Sequence, residues 1–155
     1  MKKFILYVFV LVMVVAGYTS AQAASNFTGT WVLDIEKSDL GMNNPAAKAR
    51  MNKVTLVIKQ TATQLTIERS SGDIATYNLD GSESINNLPN GMQSKTTINW
   101  VGKALAAKTV SQINGMETKM TDERSLSADG KQMTLKIALT TPSGVKNQLL
   151  IYNKQ

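Results

Sequence analysis

A two-residue alternation of apolar and polar side chains runs along most of this chain and constrains its fold more than any other feature. Phe27, Gly29, Trp31, Leu33 and Ile35 share one face, with Thr28, Thr30, Val32 and Asp34 on the other. The same period recurs over residues 54–59, 65–68, 75–79, 95–100, 105–109, 116–126, 132–139 and 145–151. A period of two means strands with one buried and one wet face. The inward sets so read include Tyr77 with Ala75 and Leu79, Thr96 with Ile98 and Trp100, and Thr109 with Leu105 and Ala107. Met116, Met120 and Leu126 form another, as do Val145, Leu149 and Ile151.

Turn residues punctuate the pattern at Ser71-Gly72-Asp73, Asp80-Gly81, Gly102, Asn114-Gly115, Asp129-Gly130 and Pro142-Ser143-Gly144. Asn-Gly and Asp-Gly supply the positive φ angles of tight hairpins. The spacing predicts about nine strands in an antiparallel meander, within a range of eight to ten. Helical potential is confined to residues 44–51, one or two turns with Pro45 near the start. Two longer connections remain, residues 36–52 and 81–91. An all-β chain with one apolar face per strand buries that face by closing into an up-and-down barrel, which also removes sheet edges. A two-sheet sandwich is the rival, and consecutive hairpins favour the barrel.

The N-terminus reads as a targeting segment. Lys2 and Lys3 precede 13 apolar residues, 4–16, and Ala21-Gln22-Ala23 offers a small-x-small cleavage site. That is the pattern of a secretory signal peptide at residues 1–23, ahead of a single domain at 24–155. A membrane anchor needs ~20 apolar residues. The mature chain therefore carries no transmembrane segment and is exported, periplasmic or secreted. With no Cys behind the apolar run it is not a lipoprotein.

Composition excludes several chemistries. The chain has no Cys and no His. It has no thiol nucleophile, no Cys- or His-ligated metal and no imidazole base. The net charge of +6 includes the two leader lysines, and the remaining lysines are scattered singly. Nucleic-acid binding needs clustered cations interleaved with stacking aromatics, so a solvated face is the better reading. Asp34, Glu36 and Asp39 lack the order of a calcium loop, and no metal or cofactor is expected. Asp122 and Glu123 are adjacent on a strand and point apart, which disfavours a carboxylate pair. An enzyme is thus not expected.

The segment Phe27-Thr28-Gly29-Thr30-Trp31-Val32-Leu33-Asp34 resembles the first strand of lipocalins, with their Gly-x-Trp at Gly29 and Trp31. Residues 36–41 and 122–131 are similar to a group of exported bacterial lipocalin-like proteins of mostly unassigned function. No C-terminal helix follows the last strand, as it does in typical lipocalins, so the likeness is to a looser calycin-type barrel. The resemblance implies that Trp31 sits at the closed barrel end beneath an Arg from a late strand, with Arg124 in that position. It also implies a small apolar ligand inside the barrel.

Asp122 and Arg124 share the inward phase of Met120. They either pair with each other or neighbouring polar groups, or read a ligand headgroup, because an inward charge is costly alone. Tyr77, Thr96, Trp100, Thr109 and Met120 are the expected pocket wall, since the inward set holds small residues and few bulky fillers. Two functions stand: a binding protein for a small, partly apolar ligand, or a filled barrel that binds a partner by its loops or rim. The sequence names no oligomeric state.

Overall fold

The computed structural model describes residues 24–41, 45–52, 54–88, 91–113, 115–142 and 144–155. The leader read at residues 1–23 lies outside them. The chain is all-β. Its elements are β1 (Gly29–Leu33), α1 (Pro45–Met51), β2 (Thr55–Gln60), β3 (Gln64–Arg69), β4 (Ile74–Asn78), β5 (Glu83–Asn87), β6 (Gln93–Val101), β7 (Ala104–Ile113), β8 (Met116–Leu126), β9 (Gln132–Thr141) and β10 (Gly144–Lys154).

Ten antiparallel strands form one sheet in the order β4-β3-β2-β1-β10-β9-β8-β7-β6-β5. The first and last strands pair through Trp31↔Lys154 and Leu33↔Tyr152, so the sheet curls into a near-barrel. Its seam lies between β4 and β5, which no backbone ladder joins among the described residues. Side chains close the seam instead. The Asn86 carboxamide accepts from the Thr76 N–H at 2.8 Å and donates to the Thr76 carbonyl at 3.0 Å. The Ser84 hydroxyl accepts from the Asn78 N–H at 2.8 Å.

The tenth strand, β5, falls inside the stretch read as the 81–91 connection. Its polarity is inverted: Ser84 is buried and Ile85 faces solvent. A hydrophobic alternation cannot register such a strand. The phase of β10 also differs from the sequence reading. Val145 and Leu149 face outward, and the inward side chains are Leu150 and Tyr152, opposite Leu135 and Met133. The run Leu149-Leu150-Ile151-Tyr152 is apolar in both phases, so alternation alone does not fix its face. Ile151 stays buried on the outer phase; its N–H donates to the Ser38 hydroxyl, and Asp39 bridges to Leu149. Met116, read as inward, is exposed near the β7–β8 turn.

The helix starts on Pro45, whose missing N–H costs nothing in a first turn. Of its residues, Met51 packs against the core. The core is one continuous cluster, with Phe27, Trp31, Ile58, Leu65, Ile98, Leu105 and Met133 essentially sealed from water.

Candidate functional site

Trp31 is fully buried, and its indole N–H donates to the Phe27 carbonyl at 2.8 Å. Phe27 packs on Trp100 with ring centroids 6.3 Å apart. These aromatics, with Leu105 opposite Trp100 in register, fill one end of the barrel. The cation above the Trp31 ring is Lys154, its Nζ 5.3 Å from the centroid. Gly29 makes room for it. A Cβ on Gly29 would stand 2.5 Å from the Lys154 Cε, and its φ of +148° disfavours any side chain. The lipocalin-like resemblance assigned that cover to Arg124, and the structure corrects this. Lys154 takes the place because β10 is the hydrogen-bonded neighbour of β1 and Trp31 pairs directly with Lys154.

Arg124 instead turns into the barrel. Its Nε donates to Asp122 Oδ1 at 2.9 Å, and both side chains are buried. Burial opposes the Arg124 charge. Asp122 beside it, with Tyr77 and Tyr152 nearby, outweighs burial and holds the guanidinium above its ordinary pKa. Burial also raises the Tyr152 phenol, against the pull of Arg124 and Arg69, so it stays protonated.

The ion pair borders a cavity of about 190 Å³ between β2–β3 and β8–β10, whose wall includes Leu56, Ile67, Met120, Leu135 and Tyr152. A second cavity of about 170 Å³ lies at the β4–β5 seam and includes Asp73, Tyr77, Asn86 and Ser94. Arg69 borders both. Each is smaller than the roughly 300–1,000 Å³ of a drug-sized site, so either cavity alone suits a small guest. A larger concavity, about 700 Å³, lies on the outer face of β6–β10, where Val101 and Leu149 are exposed. Its lining is mostly outward side chains, Asn99, Lys108, Thr121, Glu123 and Lys136 among them, whereas the interior cavity is bordered by apolar side chains and both members of the Asp122–Arg124 pair, so the interior is the better-built site.

The five residues read as a pocket wall are divided by the structure. Met120 borders the inner cavity and Tyr77 the seam cavity. Thr96 and Thr109 face inward, and their hydroxyls are paired at 2.9 Å. Trp100 belongs to the aromatic end, half-buried against Phe27. Sequence reasoning missed Tyr152 because of the ambiguous β10 phase. It missed Asn86 because β5 is inverted. Arg69 ends β3 just before the Gly72 turn, where the alternation carries no information.

Among the described residues no group of three or more acidic side chains gathers to hold a metal. Asp34 accepts instead from Asn153 at 3.0 Å and from the Lys37 N–H. The Asn153 bond is the largest cause holding its carboxyl below the ordinary range. Among the described residues no helix is long and apolar enough to cross a membrane.

No known protein family matches this sequence, and no curated protein does. Solved structures do. The zebrafish ileal bile acid-binding protein complexed with cholic acid is 15% identical and superposes with a TM-score of 0.58 over 83% of this chain and 98% of its own. Lipid binding protein 8 of Caenorhabditis elegans is 13% identical, with a TM-score of 0.59 over 83% and 95%. A variant of the fatty acid transporter REP1-NXSQ is 14% identical, with a TM-score of 0.52 over 83% and 97%. At such identities the likeness establishes the calycin-type near-barrel fold.

Proposed function

We propose that this chain is an exported, non-enzymatic binding protein that holds a small, partly apolar molecule inside its barrel. The observation that carries this reading is the interior cavity bordered by apolar side chains and one buried Asp122–Arg124 pair. Apolar walls with a few placed polar groups are the usual build of a small-molecule site. The neighbours with this fold are named for bile acid, lipid and fatty acid, which supports the same class of ligand. Export rests on the leader pattern of residues 1–23, with cleavage after Ala23 and a periplasmic or secreted, non-lipidated product.

Native mass spectrometry of the exported protein tests both parts. The expected species begins near Ala24 and carries a small-molecule adduct lost on denaturation. An intact Met1 in the exported species contradicts the leader. The outer concavity, with Val101 and Leu149 exposed, supports a second reading in which a protein partner docks on β6–β10. That reading leads if no adduct or added amphiphile is held and a protein partner is recovered that exposed-face substitutions release.

A further inference from the structure

The inner cavity is bordered by one positive charge that nothing cancels. The inference drawn from it rests on the interior-binding reading and names the chemistry of the guest's head. Two guanidiniums, Arg69 and Arg124, border that cavity against one carboxylate, Asp122. Arg124 is committed to Asp122 at 2.9 Å. Arg69 forms no ion pair among the described residues. Asp73, across the turn from it, borders only the seam cavity of the two, and its carboxylate accepts from the Ser71 hydroxyl at 2.6 Å. Arg69 continues the inner phase of Leu65 and Ile67 to the end of β3 and pairs in register with Leu56. It is exposed there, at the mouth, with the apolar wall of the inner cavity next to it. That exposure spares the empty protein the cost of burying an unpaired charge.

Two buried phenols add donors to the same place. Tyr77 borders the seam cavity with Arg69, and Tyr152 borders the inner cavity with Arg69 and Arg124. The two side chains are only 8% and 3% exposed. Neither hydroxyl is bonded to a protein group among the described residues. Yet no side-chain oxygen or nitrogen sealed from solvent there lacks a partner, so both hydroxyls open onto the cavities they border. Burial keeps the Tyr152 phenol protonated, although Arg124 and Arg69 pull the other way. A phenol has one O–H to donate, and a guanidinium donates without accepting. The unused polar capacity around Arg69 is therefore rich in donors and positive. Its complement is a negatively charged acceptor, and a carboxylate takes two parallel bonds from one guanidinium. Leu56, Ile67, Met120, Leu135 and Leu150 of the inner cavity suit a short hydrocarbon tail.

We propose that Arg69 determines the specificity of the interior site: it holds the head of a carboxylate amphiphile at the mouth, with the Tyr152 hydroxyl as a second donor. Arg124 stays with Asp122, and the tail lies inward along Leu56 and Ile67. The test is calorimetric titration of the mature protein with octanoate and with glycerol monooctanoate, at neutral pH and one low salt concentration. Octanoate should bind at least about tenfold more tightly, the size expected for one charge-assisted interaction. Arg69→Gln should weaken octanoate by about tenfold and leave the ester within about twofold. Lys59→Gln removes an equal charge from the outer phase of β2 and should change neither affinity. Tyr152→Phe keeps the ring and should weaken octanoate by about tenfold. That variant and the comparison of the two ligands on the unaltered protein decide the matter if Arg69→Gln does not fold. Octanoate binding no tighter than the ester overturns the inference. So does a folded Arg69→Gln or Tyr152→Phe protein with undiminished octanoate affinity, or a Lys59→Gln protein that loses as much. Binding of neither ligand overturns the interior-binding reading itself.

Discussion

Replacing Arg124 with Leu removes one half of a buried ion pair and leaves the other. The groups are 2.9 Å apart, with side-chain exposures of 11% and 4%. At an effective dielectric of ~20 their attraction is about 6 kcal/mol. Taking each ion out of water costs several kcal/mol, so the intact pair contributes little net stability. The single substitution is different, because Asp122 keeps its desolvation cost and loses its compensation. We expect Arg124→Leu to lower stability by about 3–5 kcal/mol, a large part of the ~5–15 kcal/mol typical of a domain. The double variant Asp122→Leu with Arg124→Leu should cost clearly less than the single, because it removes the stranded charge. Urea denaturation followed by the fluorescence of Trp31 and Trp100 measures both. A single-variant cost below about 1 kcal/mol, or a double variant worse than the single, refutes the account of a desolvated pair.

Other consequences follow from the same geometry. Gly29→Ala forces a side chain onto a φ of +148° and against the Lys154 stem, so it should lower stability by about 1–3 kcal/mol in a thermal melt. Asn86→Ala removes the two bonds to Thr76 and should cost about 1–2 kcal/mol, because Asn86 is half-exposed; amide exchange at Thr76 should quicken. Asp34 has its carboxyl held below the ordinary value of 3.8, first by Asn153 and then by Lys37. A depressed carboxyl contributes stability above its unfolded value, and that contribution is lost as the pH falls through the folded value. Asn153→Leu should therefore move the acid-unfolding midpoint to higher pH, read by circular dichroism at a series of acid pH values; an unchanged midpoint contradicts the assignment.

The barrel was legible wherever a strand buries apolar side chains on one phase, as in β2, β3 and β9. It was not legible where both phases are apolar, in β10, or where the buried phase is hydroxylic, in β5. The inward pairing of Asp122 with Arg124 could be read because two charges sat in register with Met120. What covers Trp31 could not, because it depends on which strand closes against β1, and closure is a long-range choice that local spacing does not encode. The same limit hid Arg69, which reaches the interior from a strand end, and Tyr152, whose face is set by its pairing with Met133. The resemblance to lipocalins led to the right topology and the wrong cation.

The central claim is that a small amphiphile occupies the interior and not the outer face. Methionine methyl resonances test it directly. Met120 and Met133 border the inner cavity, while Met116 is exposed beyond it. Titration of methyl-labelled protein with octanoate should shift Met120 and Met133 in a saturable way and leave Met116 in place. Met120 and Met133 unmoved at an excess of ligand, with changes confined to side chains of the outer β6–β10 face, contradicts the account.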